Sequence, residues 1–257
     1  MPRFMRAVSA VGFLTVFLIA SSALAKQPGQ GAAPPAKAPQ KVQRPPLFFR
    51  EDWKLDPTVP NPTPELEHVV GQGKDLSNPN LDLKLYGDKN GPVVVFQAND
   101  DITFVMTLLC TSSCAVALRD KNNNVDLSGP LAKLRWRTKE NGFHFVRPIV
   151  KLADGSWLVG DQAVGYSTDW VESEIDFIDV HWRNLDIENV VEARDGKWVD
   201  NPDLSKVEEI GFTDLMRGSG HGAGGGSRVD WIEVYGKPVP RGAAAQSSAK
   251  QKGSRLF

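Results

Sequence analysis

Cysteine is scarce in this chain: 257 residues contain two, Cys110 and Cys114. That excludes a multi-bridge disulfide scaffold and a cysteine-rich metal cluster. Histidine is scarce too, and His68, His144, His181 and His221 show no H-x-x-x-H spacing, so the sequence encodes no dedicated zinc site. No charge of one sign prevails. The net charge of -1 excludes nucleic acid as a general electrostatic partner. The Gly-rich stretch Gly218–Ser227 lacks a Walker lysine and opens no helix, so it is not a phosphate cradle. Long apolar runs are absent beyond residue 20, and no stretch keeps apolar residues at helical spacing.

What is present begins with an address. Arg3 and Arg6 precede an apolar run from Ala7 to Ala20, and Ala23 and Ala25 then form an A-x-A pattern. The run is shorter than the roughly 20 residues of a spanning helix. It reads as a signal peptide, residues 1–25, cleaved after Ala25, so a periplasmic or secreted product with no membrane span is expected. Residues 26–46 hold six prolines among Ala, Gln and Gly and read as an extended linker. Residues 241–257 read as a disordered tail. Residues 47–240 remain as one domain, long enough to bury a full core.

Within that domain, short apolar runs recur between turn signals. Leu81–Tyr86 and Ala132–Arg137 alternate. Val93–Phe96, Thr103–Leu109, Ala115–Leu118, Val146–Leu152, Trp157–Val159, Val171–Phe177, Val207–Phe212 and Val229–Tyr235 follow the same length class. Asn90-Gly91, Asn141-Gly142, Asp154-Gly155 and Asp195-Gly196 punctuate them. Many short strands at this spacing predict an all-β sandwich or barrel.

Several residues invite a chemical reading. Cys110 and Cys114, exported to an oxidising compartment, are expected to form a disulfide. Four residues of straight strand span about 13 Å, so Thr111-Ser112-Ser113 must turn tightly to bring the sulfurs together. Lys133, Arg135 and Arg137 share one strand face, which predicts a basic strip able to grip acidic or hydroxyl-rich ligands, with Arg147 joining it across strands. Glu172, Glu174 and Asp176 also share one face, the ordinary pattern of a half-solvated strand. Among seven tryptophans most belong to a core. Trp157 after its turn, Tyr166 in a loop, His181 beside Trp182 and His221 in the Gly-rich loop are the expected ligand contacts.

From Asp126 onward the order of features is distinctive. Asp126-Leu-Ser-Gly129 precedes AKLRWRTKENG, then come IVKLADGSWLV and Ser167-Thr-Asp-Trp170 before VESEIDF. Val207–Phe212 and a closing Val229-Asp-Trp-Ile-Glu-Val-Tyr235 complete it. Over roughly Asp126–Gly236 the chain resembles galactose-binding-like jelly rolls, as in carbohydrate-binding modules. The resemblance implies an all-β jelly-roll sandwich that binds a polysaccharide or cell-envelope glycan without chemistry. It also implies a structural calcium, for which Asp230, Glu233 and Glu51 are the matching positions. A glycan-active enzyme using carboxylates such as Glu172 and Asp230, and an envelope protein that binds another protein, are the alternatives.

Overall fold

A computed structural model describes residues 43–55, 68–69, 74–87, 94–97, 102–107, 113–192, 197–216 and 226–241. Among them the regular structure is strand, apart from two single 3-10 turns at Phe177–Asp179 and Leu204–Lys206. No helix among the described residues is long and apolar enough to cross a membrane. The strands are β1 (Leu47–Glu51), β2 (His68–Val69), β3 (Leu81–Gly87), β4 (Val94–Gln97), β5 (Thr103–Met106), β6 (Cys114–Asp120), β7 (Asn123–Asp126), β8 (Lys133–Asn141) and β9 (Val146–Leu152). They continue with β10 (Trp157–Gly160), β11 (Val171–Asp176), β12 (Trp182–Asp186), β13 (Val191–Glu192), β14 (Trp198–Val199), β15 (Val207–Asp214), β16 (Gly226–Tyr235) and β17 (Lys237–Pro240).

They form two antiparallel sheets. A seven-stranded sheet runs β11-β8-β16-β5-β4-β2, with β1 also on β16. A ten-stranded sheet runs β13-β12-β10-β9-β15-β6-β3, with β14 on β12, β7 on β15 and β17 on β7. Successive strands pass back and forth between the sheets: β6 and β7 lie in one, β8 in the other, β9 and β10 back in the first, β11 again in the second. This is the jelly-roll sandwich the resemblance implies.

Alternation explains the core. On β8, Leu134, Trp136 and Thr138 turn inward and are buried, while Lys133, Arg135 and Arg137 turn outward. Trp136 keeps its indole N–H satisfied by donating to Ser173 Oγ at 2.7 Å. The other sheet contributes Val116 and Leu118 from β6, Val150 from β9, and Ile210 and Phe212 from β15. Gly211 on β15 has no room for a side chain, because a Cβ there would stand 1.8 Å from the Val116 carbonyl oxygen.

A second, smaller apolar layer covers the outer face of the ten-stranded sheet. Val190 and partly buried Ile187, from the segment between β12 and β13, pack together with Leu185 of β12 on Ala115, Ala117, Ile149, Trp157 and Val159. Val190 is fully buried at a positive φ of 49°, a conformation costly for a β-branched residue and held only because the packing fixes it. The sequence placed Trp157 among exposed ligand contacts. The structure corrects this: Trp157 is buried beneath that covering segment, edge-on to Tyr86 at 5.0 Å.

The fold also draws in its flanks. Gly236 N donates to the Pro46 carbonyl at 3.1 Å, and Arg241 donates to the Asp120 and Glu208 carbonyls.

Candidate functional site

The outer face of the seven-stranded sheet carries a continuous arrangement of outward-facing charge and aromatics. Register builds it. Lys133, Arg135 and Arg137 of β8 stand opposite Asp176, Glu174 and Glu172 of β11 on one side. On the other side they stand opposite Tyr235, Glu233 and Trp231 of β16. Arg50 of β1 pairs with Glu233 across the next seam. Four strands distant in sequence thus lay one patch.

The cations are all engaged. Lys133 Nζ lies 2.8 Å from Glu174, Arg135 lies 3.2 Å from Glu233 and 3.5 Å from Glu172, and Arg137 lies 2.7 Å from Asp230. Arg50 reaches Glu233 and Asp52, both at 2.6 Å. Its hydrogen bond to Asp52, with a further one to Glu233, outweighs burial and holds the guanidinium above its usual range. Burial pushes the Asp230 carboxyl up, against the pull of Arg137. The expectation of a free basic strip is therefore corrected. The strip is neutralised in register by acids from both neighbouring strands, which removes its preference for acidic ligands and leaves a surface of alternating donors and acceptors.

The aromatics sit inside this charge lattice. Arg50 lies over the Trp231 ring at 4.5 Å, with Arg135 at 5.7 Å. Arg137 lies over Trp170 at 5.4 Å, and Lys133 over Tyr235 at 5.8 Å. The Tyr235 hydroxyl donates to Glu233 at 2.9 Å. At one end the face deepens into a cleft of about 390 Å³ between Arg44, Pro45, Leu131, Lys133, Arg135, Glu174, Asp176 and Tyr235. That volume lies at the lower end of those seen for small-molecule sites.

The remaining expected contacts scatter. Arg147 belongs to β9 in the other sheet, where it pairs with Glu192 at 2.9 Å. It does not join Arg135 and Arg137, because strand alternation sets which face a residue takes but not which sheet its strand enters. Tyr166 is 66% exposed, in the loop before β11. His181 is exposed just before β12. Its ring partner is Trp198, edge-on at 5.8 Å, whereas neighbouring Trp182 is buried. His221 and Cys110 lie outside the described residues, and Cys114 is buried at the start of β6.

The calcium reading is corrected. Among the described residues no group of three or more His, Cys, Asp or Glu side chains is placed to hold a metal ion. Glu51 turns inward, opposite Ile232, and accepts backbone N–H groups of Trp53, Ser77 and Asn78 at 2.7–3.0 Å. Glu233 and Asp230 are committed to arginines on the outer face. The three carboxylates do not converge.

One titratable cluster lies away from this face. His144 Nδ1, Ser227 Oγ and Thr107 Oγ1 gather around Asp214 Oδ2, all buried, with Glu140 paired to Ser227 across β8 and β16. Burial pushes Glu140 up to about 9.

Trp231, Tyr235, Trp170 and Arg50 were not among the expected contacts. The i, i+2 spacing of Trp231, Glu233 and Tyr235 was visible, but their partners come from strands far away in the chain.

No family model matches this sequence, and neither does any curated protein. Solved carbohydrate-binding modules are similar to it. A family 11 module of the cellulosomal cellulase Lic26A-Cel5E of Clostridium thermocellum is 16% identical, with 66% of this chain and 94% of that one covered and a TM-score of 0.41. A Clostridium thermocellum family 11 module in complex with a β-1,3-1,4-mixed-linked tetrasaccharide is 14% identical, with 75% and 98% covered and a TM-score of 0.41. A family 29 module complexed with cellulohexaose is 11% identical, with 62% and 95% covered and a TM-score of 0.33.

Proposed function

We propose that this chain is an exported, non-catalytic module that binds a polysaccharide or cell-envelope glycan on the outer face of its seven-stranded sheet. The observation that carries the reading is the patch itself: the half-buried rings of Trp170 and Tyr235, each with a cation near its face, interleaved with paired arginines and carboxylates that lie over the buried Trp231. Sugars present hydroxyl pairs and C–H faces. Guanidinium forks and carboxylates hydrogen-bond the first, and aromatic rings pack on the second. Ion pairs already in place fix the side chains before the ligand arrives, which lowers the ordering cost of binding. Export is supported by the residue pattern up to Ala25, and a Cys110–Cys114 disulfide by their being the two cysteines of an exported chain.

The test is retention of the purified exported chain on insoluble cellulose, mixed-linked β-glucan, chitin and peptidoglycan. At least one matrix should retain it, and Arg135→Ala should weaken that retention tenfold or more while leaving the melting temperature nearly unchanged. Passage through every matrix, or equal retention of the variant, overturns the reading.

A further inference from the structure

A second concave feature lies at the edge of the other sheet. The short strand β14 pairs with β12 through Val199 to Trp182 and Trp198 to Arg183. Beside it opens a cleft of about 390 Å³. Its floor is apolar: Trp182 stacks on Phe177 at 6.2 Å and 15°, with Leu127 and Leu204 also buried there. Its rim is polar and carries Ser128, His181, Asp200 and Asn201. Two large apolar groups line it in the open, Trp198 at 47% exposure and Ile178 at 64%.

Trp198 is not a loose surface ring. Arg183 lies over it at 4.0 Å, and Glu192 holds that guanidinium at 2.7 Å. His181 meets it edge-on at 5.8 Å, and Asp161 holds that residue at two points, Oδ2 at 3.0 Å from the ring Nδ1 and Oδ1 accepting from the backbone N–H at 2.9 Å. Two anchored side chains therefore brace an indole that remains half exposed at the mouth of a cleft. A ring held rigid in this way loses little freedom when a ligand packs on it.

We infer that this cleft is a second binding site, for one pyranose unit of an uncharged sugar. The C–H face of the ring packs on Trp198 and Ile178, and its hydroxyls meet the rim oxygens and nitrogens of Ser128, His181, Asp200 and Asn201. An uncharged ligand is favoured because the polar groups that brace the indole are already partnered, the Arg183 guanidinium by Glu192 and the His181 ring by Asp161, while the Asp200 carboxylate repels an acidic sugar. The site shares no residue with the outer face of the seven-stranded sheet, so the two stand or fall separately.

The experiment uses the full exported chain and saturation-transfer NMR titrations with methyl β-glucopyranoside, methyl β-galactopyranoside and glucuronate. The expected result is binding of at least one uncharged glycoside, weakened tenfold or more by Trp198→Ala and threefold or more by His181→Ala, and unchanged in Arg135→Ala. His181 is exposed, so its variant reads the site even if Trp198→Ala fails to fold. Absence of binding by both uncharged glycosides overturns the site, as does equal affinity in both cleft variants. Tighter binding of glucuronate overturns the ligand class. If Arg135→Ala abolishes glycoside binding, the sugar sits on the sheet face instead, and the cleft is rejected while the proposed function survives.

Discussion

Trp157 and Tyr166 were grouped together from the sequence, yet they stand in opposite environments. Trp157 is buried against Tyr86 under the segment between β12 and β13, so Trp157→Ala should lower stability by about 3–5 kcal/mol, as large aromatic truncations in cores do. Urea denaturation measures it, and a loss below about 1 kcal/mol, the scale of ordinary surface changes, contradicts the packing. Tyr166 is 66% exposed, so Tyr166→Ala should leave the unfolding midpoint nearly unchanged. If that variant nonetheless lost glycan affinity, the binding surface would move from the sheet face to the loop end. For Cys110 and Cys114 the expected outcome is a two-hydrogen mass deficit in the non-reduced peptide that contains both. Two free thiols in freshly isolated protein reject the bridge.

At the scale of elements, β8 carries one buried group, Glu140 opposite Ser227 of β16, whose titration opposes folding at high pH. Burial raises the Glu140 carboxyl from 4.5 to about 9, with only partial relief from Ser227. The unfolded chain releases this proton first, so between those two values the native state holds more protons and stability falls as pH rises. The slope approaches about 1.4 kcal/mol per pH unit from this one group. Glu140→Gln should remove that slope, so the gap in stability between variant and wild type should widen from pH 5 to pH 8. Parallel pH profiles would show that Glu140 does not titrate in this way.

The same elements show what was legible beforehand. β9 was read with its observed bounds, because its apolar run ends in a clear turn at Asp154-Gly155. β8 was read short at Arg137, although Thr138 and Glu140 continue the inward alternation as polar residues that carry no hydrophobic signal. β7 and β17 escaped notice because Asn123-Asn124 reads as a turn and two prolines in four residues read as a breaker. β17 tolerates those prolines because β7 is the strand it pairs with. Arg135 and Arg137 were found on one face. Their neutralisation was not, since the pairing acids arrive from β11 and β16 through register that no local pattern encodes.

For the molecule as a whole, the two outer faces of the sandwich have different fates. The ten-stranded sheet buries part of its outer face under its own chain, whereas the seven-stranded sheet leaves an aromatic and charged patch within reach of solvent. Ion pairs on that patch are partly exposed, and such pairs weaken with salt. Raising ionic strength from 0.05 to about 0.5 M should loosen the side chains without dispersing the ligand, so glycan retention should fall by a few-fold rather than by orders of magnitude. A loss of several orders would point to a polyanionic ligand held by net charge.

The account rests most heavily on where the glycan lies, and side-chain oxidation footprinting with and without a retained glycan reads this directly. The account predicts that glycan protects Trp170 and Tyr235 on the sheet face while Tyr166 stays equally reactive. Protection confined to Tyr166, or unchanged reactivity of both Trp170 and Tyr235, contradicts it.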